Sequence, residues 1–108
     1  MLRYLWKYLG MNAVLIAATL PLVFHWVPPN RWYGFRLPGT GASPELWYGI
    51  NATGGKMFIL SMIICASVNL LFLWRGLEKA RPYLGWINGG LILLSFWIVS
   101  QVLVQYLP

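Results

Sequence analysis

The sequence predicts an all-α membrane protein with three transmembrane helices and a short interfacial amphipathic helix in the first loop. Of its 108 residues, 59% are hydrophobic and 9% are charged, whereas about a quarter of a typical soluble domain is charged. Three apolar segments, at about 9–27, 57–74 and 86–107, are each long enough to cross a hydrocarbon core of about 30 Å. We therefore expect a single membrane domain over residues 1–108.

The first segment follows Arg3 and Lys7, as the apolar part of a signal peptide follows its charged start. A cleavage site needs small residues near the end of the apolar run, but this run ends in bulky residues around His25. We expect an uncleaved first span, with Asn12 near the membrane interface. The chain has no second His, so His25 is predicted to be an interfacial anchor rather than a metal ligand.

The first loop, residues 28–55, contains clustered proline, glycine and aromatic residues. Residues 37–40, Leu-Pro-Gly-Thr, place proline and glycine at the centre of a type II turn. Residues 43–45, Ser-Pro-Glu, are typical of a helix start, because they supply an N-cap, a first-turn proline and an acid at the positive end of the helix dipole. Gly54 and Gly55 predict the end of this short helix, which would then lie along the interface.

Two contacts are predicted for Arg36 within the loop. Its guanidinium can pair with Glu45, the only acid of the loop, or it can stack on the ring of Trp47. Asn51 follows Trp47 by four residues and therefore shares its helix face. A structural clasp and a binding site are both consistent with these residues.

The second span contains Asn69, an amide that is costly in hydrocarbon unless it finds a partner. One face of this span is therefore predicted to contact protein. Cys65 is the only cysteine and lacks the base of a nucleophile site, so we expect it to behave as a small hydrophobic residue.

The third span begins with a glycine-rich turn and ends with polar residues. Gly89 and Gly90 form a groove without side chains, which favours tight helix packing. Gln101 and Gln105 lie one turn apart on one face, which is either a solvated end or a subunit contact. No span contains Asp, Glu, Lys or Arg, which argues against a proton relay, an ion carrier or a voltage sensor.

The distribution of basic residues favours one orientation of the chain in the membrane by a small margin. Five lie at the N-terminus and in the second loop, namely Arg3, Lys7, Arg75, Lys79 and Arg81, and three lie in the first loop, namely Arg31, Arg36 and Lys56. Since basic residues prefer the cytoplasmic side, we expect the N-terminus inside and the C-terminus outside. Their position at helix ends indicates contact with anionic lipid head groups rather than with nucleic acid.

The stretch "PPNRWYGFRLPGTGASPELWYGIN" resembles the signature loop of the SdpI family of small bacterial membrane proteins. The matching positions are Asn30, Gly34, Arg36, Pro38, Thr40, Trp47 and Asn51. The resemblance implies a protein of the bacterial cytoplasmic membrane, with immunity to a secreted toxic peptide and with signalling through a sequestered soluble repressor. The chain departs from the family in having fewer spans than the namesake type, and in Gly39 and Ala52, where the family has basic or bulky residues.

Three classes of function follow from these observations. The first is a non-enzymatic protein whose loop binds a peptide toxin or a soluble regulator. The second is an accessory subunit of a larger membrane complex. The third, an enzyme, is disfavoured because the sequence has two acids, no nucleophile with a recognisable base and no phosphate loop. We therefore predict no catalytic residue, metal or cofactor, with lipids and other proteins as partners.

Overall fold

A computed structural model describes residues 2–36, 43–76 and 78–106, and within these ranges the regular structure is entirely helical. The three long helices are α1 (Leu2–Val23), α2 (Pro44–Arg75) and α3 (Leu84–Leu103). Short 3₁₀ helices, Glu78–Tyr83 and Val104–Tyr106, precede and follow α3. The described residues contain three helices long and apolar enough to cross a membrane, so the predicted three-span helical fold is confirmed.

Helix α2 is the central element, because it packs against both α1 and α3. The core lies mainly between α2 and α3, and its buried residues are Ile50, Phe58, Met62, Cys65, Val99 and Leu103. Leu15 and Ile16 of α1 pack against this cluster. Many large apolar side chains point outward, as expected of a bundle whose surroundings are lipid.

Helix α1 begins and ends earlier than predicted, and its end is set by a Schellman motif. The amide of Trp26 donates to the carbonyl of Pro21 at 2.9 Å, and that of His25 donates to the carbonyl of Leu22 at 3.4 Å. His25 takes the left-handed conformation that this motif requires, with φ of 60°. Its ring lies 5.2 Å from that of Tyr48, a contact that offsets the backbone strain.

The helix start predicted at Ser43 for the short interfacial helix is present, but it is the start of α2. The hydroxyl of Ser43 accepts from the amide of Leu46 at 3.1 Å, and Pro44 occupies the first helical position. The helix then continues for 32 residues and ends at Gly76, which adopts a left-handed C-cap with φ of 61°.

The predicted end of a short interfacial helix at Gly54 and Gly55 is wrong, because α2 passes through both residues without a break. Both glycines serve close packing instead. A Cβ on Gly55 would lie 2.8 Å from Val23, and one on Gly54 would lie 3.0 Å from Phe35. Gly76, which has open space around it, is the glycine that ends the helix.

Four exposed tryptophans lie near the two ends of the bundle. Trp6, Trp74 and Trp86 lie at the start of α1, the end of α2 and the start of α3, which share one end of the bundle. Trp26 follows α1 at the other end, and the helix from Trp6 to its last residue, Val23, rises about 26 Å before the chain reaches Trp26. This separation matches the thickness of a hydrocarbon core between two aromatic belts.

Candidate functional site

The first loop is tied to the start of α2 by a set of contacts that we call the first-loop clasp. Its members are Val27, Gly34, Phe35, Arg36, Trp47 and Asn51. Four of them, Gly34, Arg36, Trp47 and Asn51, belong to the signature recognised in the sequence. The signature residues Pro38 and Thr40, and the predicted turn at 37–40, lie outside the described residues.

Trp47 is the central side chain of the clasp. It lies on the first turn of α2 and is only 2% exposed, unlike most tryptophans of this chain. Its indole Nε1 donates to the carbonyl of Val27 at 2.9 Å. The buried indole therefore fixes the beginning of the loop, where the chain leaves α1.

Asn51 fixes the other end of the described loop. Its side-chain oxygen accepts from the amide of Phe35 at 2.5 Å, and its Nδ2 donates to the carbonyl of Trp47 at 3.0 Å. Asn51 is 1% exposed, so both groups need these partners. The side-chain oxygen of Asn51 thus takes the place of a water molecule that would otherwise bind the backbone amide of Phe35.

Gly34 allows the loop backbone to approach the clasp. It has φ of 128°, which a residue with a side chain rarely adopts. A Cβ at this position would lie 2.7 Å from Oδ1 of Asn51 and 3.0 Å from Cη2 of Trp47. Both the conformation and the space therefore require glycine.

Arg36 makes one of the two contacts predicted from the sequence. Its guanidinium carbon lies 5.6 Å from the centre of the Trp47 ring, so the stacking contact is present. Between the described side chains of Arg36 and Glu45 no ion pair is formed. Glu45 is exposed in the first turn of α2, where its charge faces the positive end of the helix dipole.

Asn30 organises the exposed tip of the loop. Its Oδ1 accepts from the amides of Trp32 and Tyr33 at 2.8 and 2.6 Å, and its Nδ2 donates to the carbonyl of Pro28 at 2.8 Å. This turn holds Trp32 outward with 92% of its surface exposed, next to the exposed Arg31. The arrangement presents an aromatic ring and a cation on a fixed backbone.

A second polar cluster, the amide triad, lies between the helices. It consists of Asn12 of α1, Asn69 of α2 and Asn88 of α3, all fully buried. Nδ2 of Asn69 donates to Asn12 at 3.1 Å and to Asn88 at 2.8 Å, and Asn88 donates back to Asn69 at 3.0 Å. The predicted protein contact of Asn69 is therefore present.

The triad corrects one expectation and adds one residue. Asn12 was expected near the interface, but its amide lies between helices because it pairs with Asn69. Asn88 is not among the residues that the sequence predicts to pack the helices. The available signal was that each apolar segment carries an asparagine within its length, a pattern that favours pairing between spans.

The other predicted packing residues face away from the bundle. Gly89 and Gly90 are exposed, with no atom of the described chain within 4 Å of a Cβ built on either. Gln101 is exposed further along α3. These three residues therefore do not pack the chain's own helices together, and their contact with another protein stays a prediction.

Neither the clasp nor the triad contains reactive groups. Within the described ranges, no three His, Cys, Asp or Glu side chains gather as a metal site would require. A small apolar cavity of about 60 Å³ lies between α2 and α3 beside Cys65 and Ser95, whose Sγ and Oγ atoms are 4.0 Å apart. What the clasp can do is hold the surface of the first loop in one geometry, which is a requirement for binding a partner.

Comparison with known protein families identifies a family match. A family model described as the SdpI/YfhL protein family matches residues 27–106. The match covers the first loop, α2 and α3, and leaves α1 outside. Neither the curated proteins nor the solved structures include a significant match.

Proposed function

The chain belongs to the SdpI/YfhL protein family, and from this membership we propose a non-enzymatic protein that binds a peptide or protein partner through its first loop. The proposed activity is of the toxin-immunity or signalling type. The proposed location is the bacterial cytoplasmic membrane, with the N-terminus inside and the first loop and C-terminus outside. On that side the loop meets peptides that approach from outside the cell.

The observation that supports this proposal most strongly is the contrast between Trp47 and Trp32. Trp47 is buried and holds the loop, whereas Trp32 is 92% exposed although its backbone is fixed by Asn30. Tryptophan and arginine dominate binding energies at protein interfaces, and a fixed backbone lowers the entropy cost of binding. Trp32 and Arg31 are therefore the proposed contact residues.

The test is survival of a toxin-sensitive bacterium that expresses the chain, challenged with a panel of membrane-active peptides. The wild-type chain should raise survival against at least one peptide, and Trp32→Ala should remove this protection at an equal level of membrane-inserted protein. Trp86→Ala, an exposed tryptophan at the other end of the bundle, is the matched control and should retain protection. No protection by the wild-type chain against any peptide would contradict the immunity proposal.

An accessory subunit of a larger membrane complex is the second candidate, and the outward face of α3 favours it. Gly89 and Gly90 offer open backbone, and Gln101 offers an exposed amide on the same helix. In lipid, small residues and amides support contacts between helices. This face, and not the loop, would then carry the interaction.

The two candidates are separated by gentle solubilisation of native membranes followed by identification of the copurifying proteins. The accessory role would be supported if large membrane subunits copurified with the wild-type chain in stoichiometric amounts. They should be lost from the Gly89→Leu variant and retained by the Trp32→Ala variant. Because Gly89 has open space in the free chain, this substitution should leave the fold intact. A free chain, or loss of the partner only in Trp32→Ala, would contradict it.

A further inference from the structure

The end of the bundle opposite the first loop carries a concentrated positive charge, which we call the basic end. Its five basic residues are Arg3, Lys7, Arg75, Lys79 and Arg81, and all five are exposed. Glu78 is the acid among them, and it lies 3.8 Å from Arg81. The basic end therefore keeps a large excess of cationic side chains.

A contact between distant parts of the chain makes these residues one surface. Arg81 lies over the ring of Tyr4, with its guanidinium carbon 4.0 Å from the ring centre, and its Nη2 donates to the Tyr4 hydroxyl at 2.5 Å. The start of α3 also lies against α1, since a Cβ on Gly85 would be 3.3 Å from the hydroxyl of Tyr8. The first two turns of α1 and the second loop are thus joined.

The aromatic belt places this surface at the level of lipid phosphates. Trp6, Trp74 and Trp86 are all exposed beside the basic residues, and tryptophans concentrate at the head-group level of a bilayer. Arg75 stacks on Trp74 at 5.1 Å, which keeps its charge at the same level. A ligand for these cations has to carry negative charge at that depth.

We propose that the basic end binds the phosphate of anionic phospholipid head groups, with the exposed Arg3 and Lys79, which are close in sequence to Tyr4 and Arg81, as direct contacts. Phosphate is the shared chemistry of a lipid head group and of free phosphate, and the aromatic belt favours the lipid. An acidic soluble protein is disfavoured because the exposed tryptophans between the cations are already suited to the lipid interface.

The experiment compares lipids retained by the purified full chain. The chain is equilibrated in vesicles of equal parts phosphatidylcholine and phosphatidylglycerol, extracted in mild detergent and weighed intact by native mass spectrometry. We expect phosphatidylglycerol to be retained in preference to phosphatidylcholine. Arg3→Gln with Lys79→Gln should reduce this preference, by roughly fivefold per cation removed if each contributes about 1 kcal/mol.

The matched control is Arg31→Gln with Lys56→Gln, which removes one arginine and one lysine, both exposed, from the opposite end. This control should retain the preference. Equal retention of the two lipids, or an equal loss of preference in both double variants, would overturn the proposal. Retention of inorganic phosphate in place of lipid would also overturn it, because the site would then bind free phosphate. If the Arg3→Gln/Lys79→Gln variant kept the lipid preference and the basic end bound an acidic soluble protein, the proposal would be overturned and the surface would be assigned to that protein.

Discussion

At the scale of single residues, the first loop depends on one buried amide and one glycine. The side-chain oxygen of Asn51 accepts from the backbone amide of Phe35 and so joins the loop to α2, while its Nδ2 donates to the carbonyl of Trp47 within α2. Gly34 leaves the space that Asn51 and Trp47 occupy. The hydrogen bonds of Asn51 involve no charged group, so they should depend little on salt.

Asn51→Ala removes the acceptor for the amide of Phe35 and should lower the free energy of unfolding by about 1–3 kcal/mol, the cost of an unsatisfied buried donor. The midpoint of thermal unfolding in detergent and the rate of proteolysis in the loop should both report the change. Asn30→Ala, which affects an exposed turn, should leave the midpoint nearly unchanged. Equal effects of the two substitutions would show that Asn51 has no special role.

Gly34→Ala should lower stability by about 1–3 kcal/mol through overpacking, with a further cost for positive φ. The methyl group would meet both Asn51 and Trp47. Gly10→Ala is the control, since a Cβ at Gly10 has no neighbour within 4 Å. If the Gly34→Ala chain unfolded at the same temperature as the wild-type chain in the same detergent, this result would contradict the packing described for the clasp.

At the scale of elements, local sequence determines the start of α2 better than it determines the path of the helix beyond that start. Ser43 and Pro44 act within one turn, so the start of α2 was predictable from their side chains. The unbroken path of α2 through residues 54 and 55 was not predictable, because two adjacent glycines look like a helix terminator. Here they leave room for Phe35 and Val23, which are distant in sequence. The Arg36–Trp47 contact was predictable as one of two options, whereas the Asn51–Phe35 bond depends on the path of the loop backbone.

Gly55→Ala tests the crossing of α1 and α2. In an isolated helix, alanine is the better residue by roughly 1 kcal/mol. Here the added carbon would lie 2.8 Å from Cγ2 of Val23 and 3.3 Å from Cγ2 of Thr19, so we expect net destabilisation. Gly89→Ala, which has open space, should be neutral or stabilising in the same thermal unfolding assay. A stabilised Gly55→Ala chain would mean that α1 and α2 do not approach this closely.

At the scale of the whole molecule, the three helices are joined in the bilayer by the amide triad, and Asn69 is its hub. All three amide–amide hydrogen bonds of the triad involve Asn69, whereas Asn12 takes part in one of them. In water such a cluster would compete with solvent, but in hydrocarbon its groups have no other partner.

Asn69→Leu should therefore destabilise the bundle more than Asn12→Leu. At about 0.6 kcal/mol for each hydrogen bond between membrane helices, the expected losses are roughly 2 kcal/mol for Asn69→Leu and about 1 kcal/mol for Asn12→Leu, whose Nδ2 also donates to the sulfur of Met62. Unfolding of the reconstituted chain by a denaturing detergent, followed by circular dichroism, would measure both. The reverse order, or no loss in either variant, would show that apolar packing alone holds the three helices together.

The short sequence span of the first-loop clasp bears on how the chain assembles during synthesis. Its hydrogen bonds join residues 16 and 20 positions apart, so every partner has been made once Asn51 leaves the ribosome. The triad has to wait for Asn88, the last of its three amides to be made. We therefore expect the hairpin of α1 and α2 to form first at the insertion site, with α3 joining it as a separate and later event.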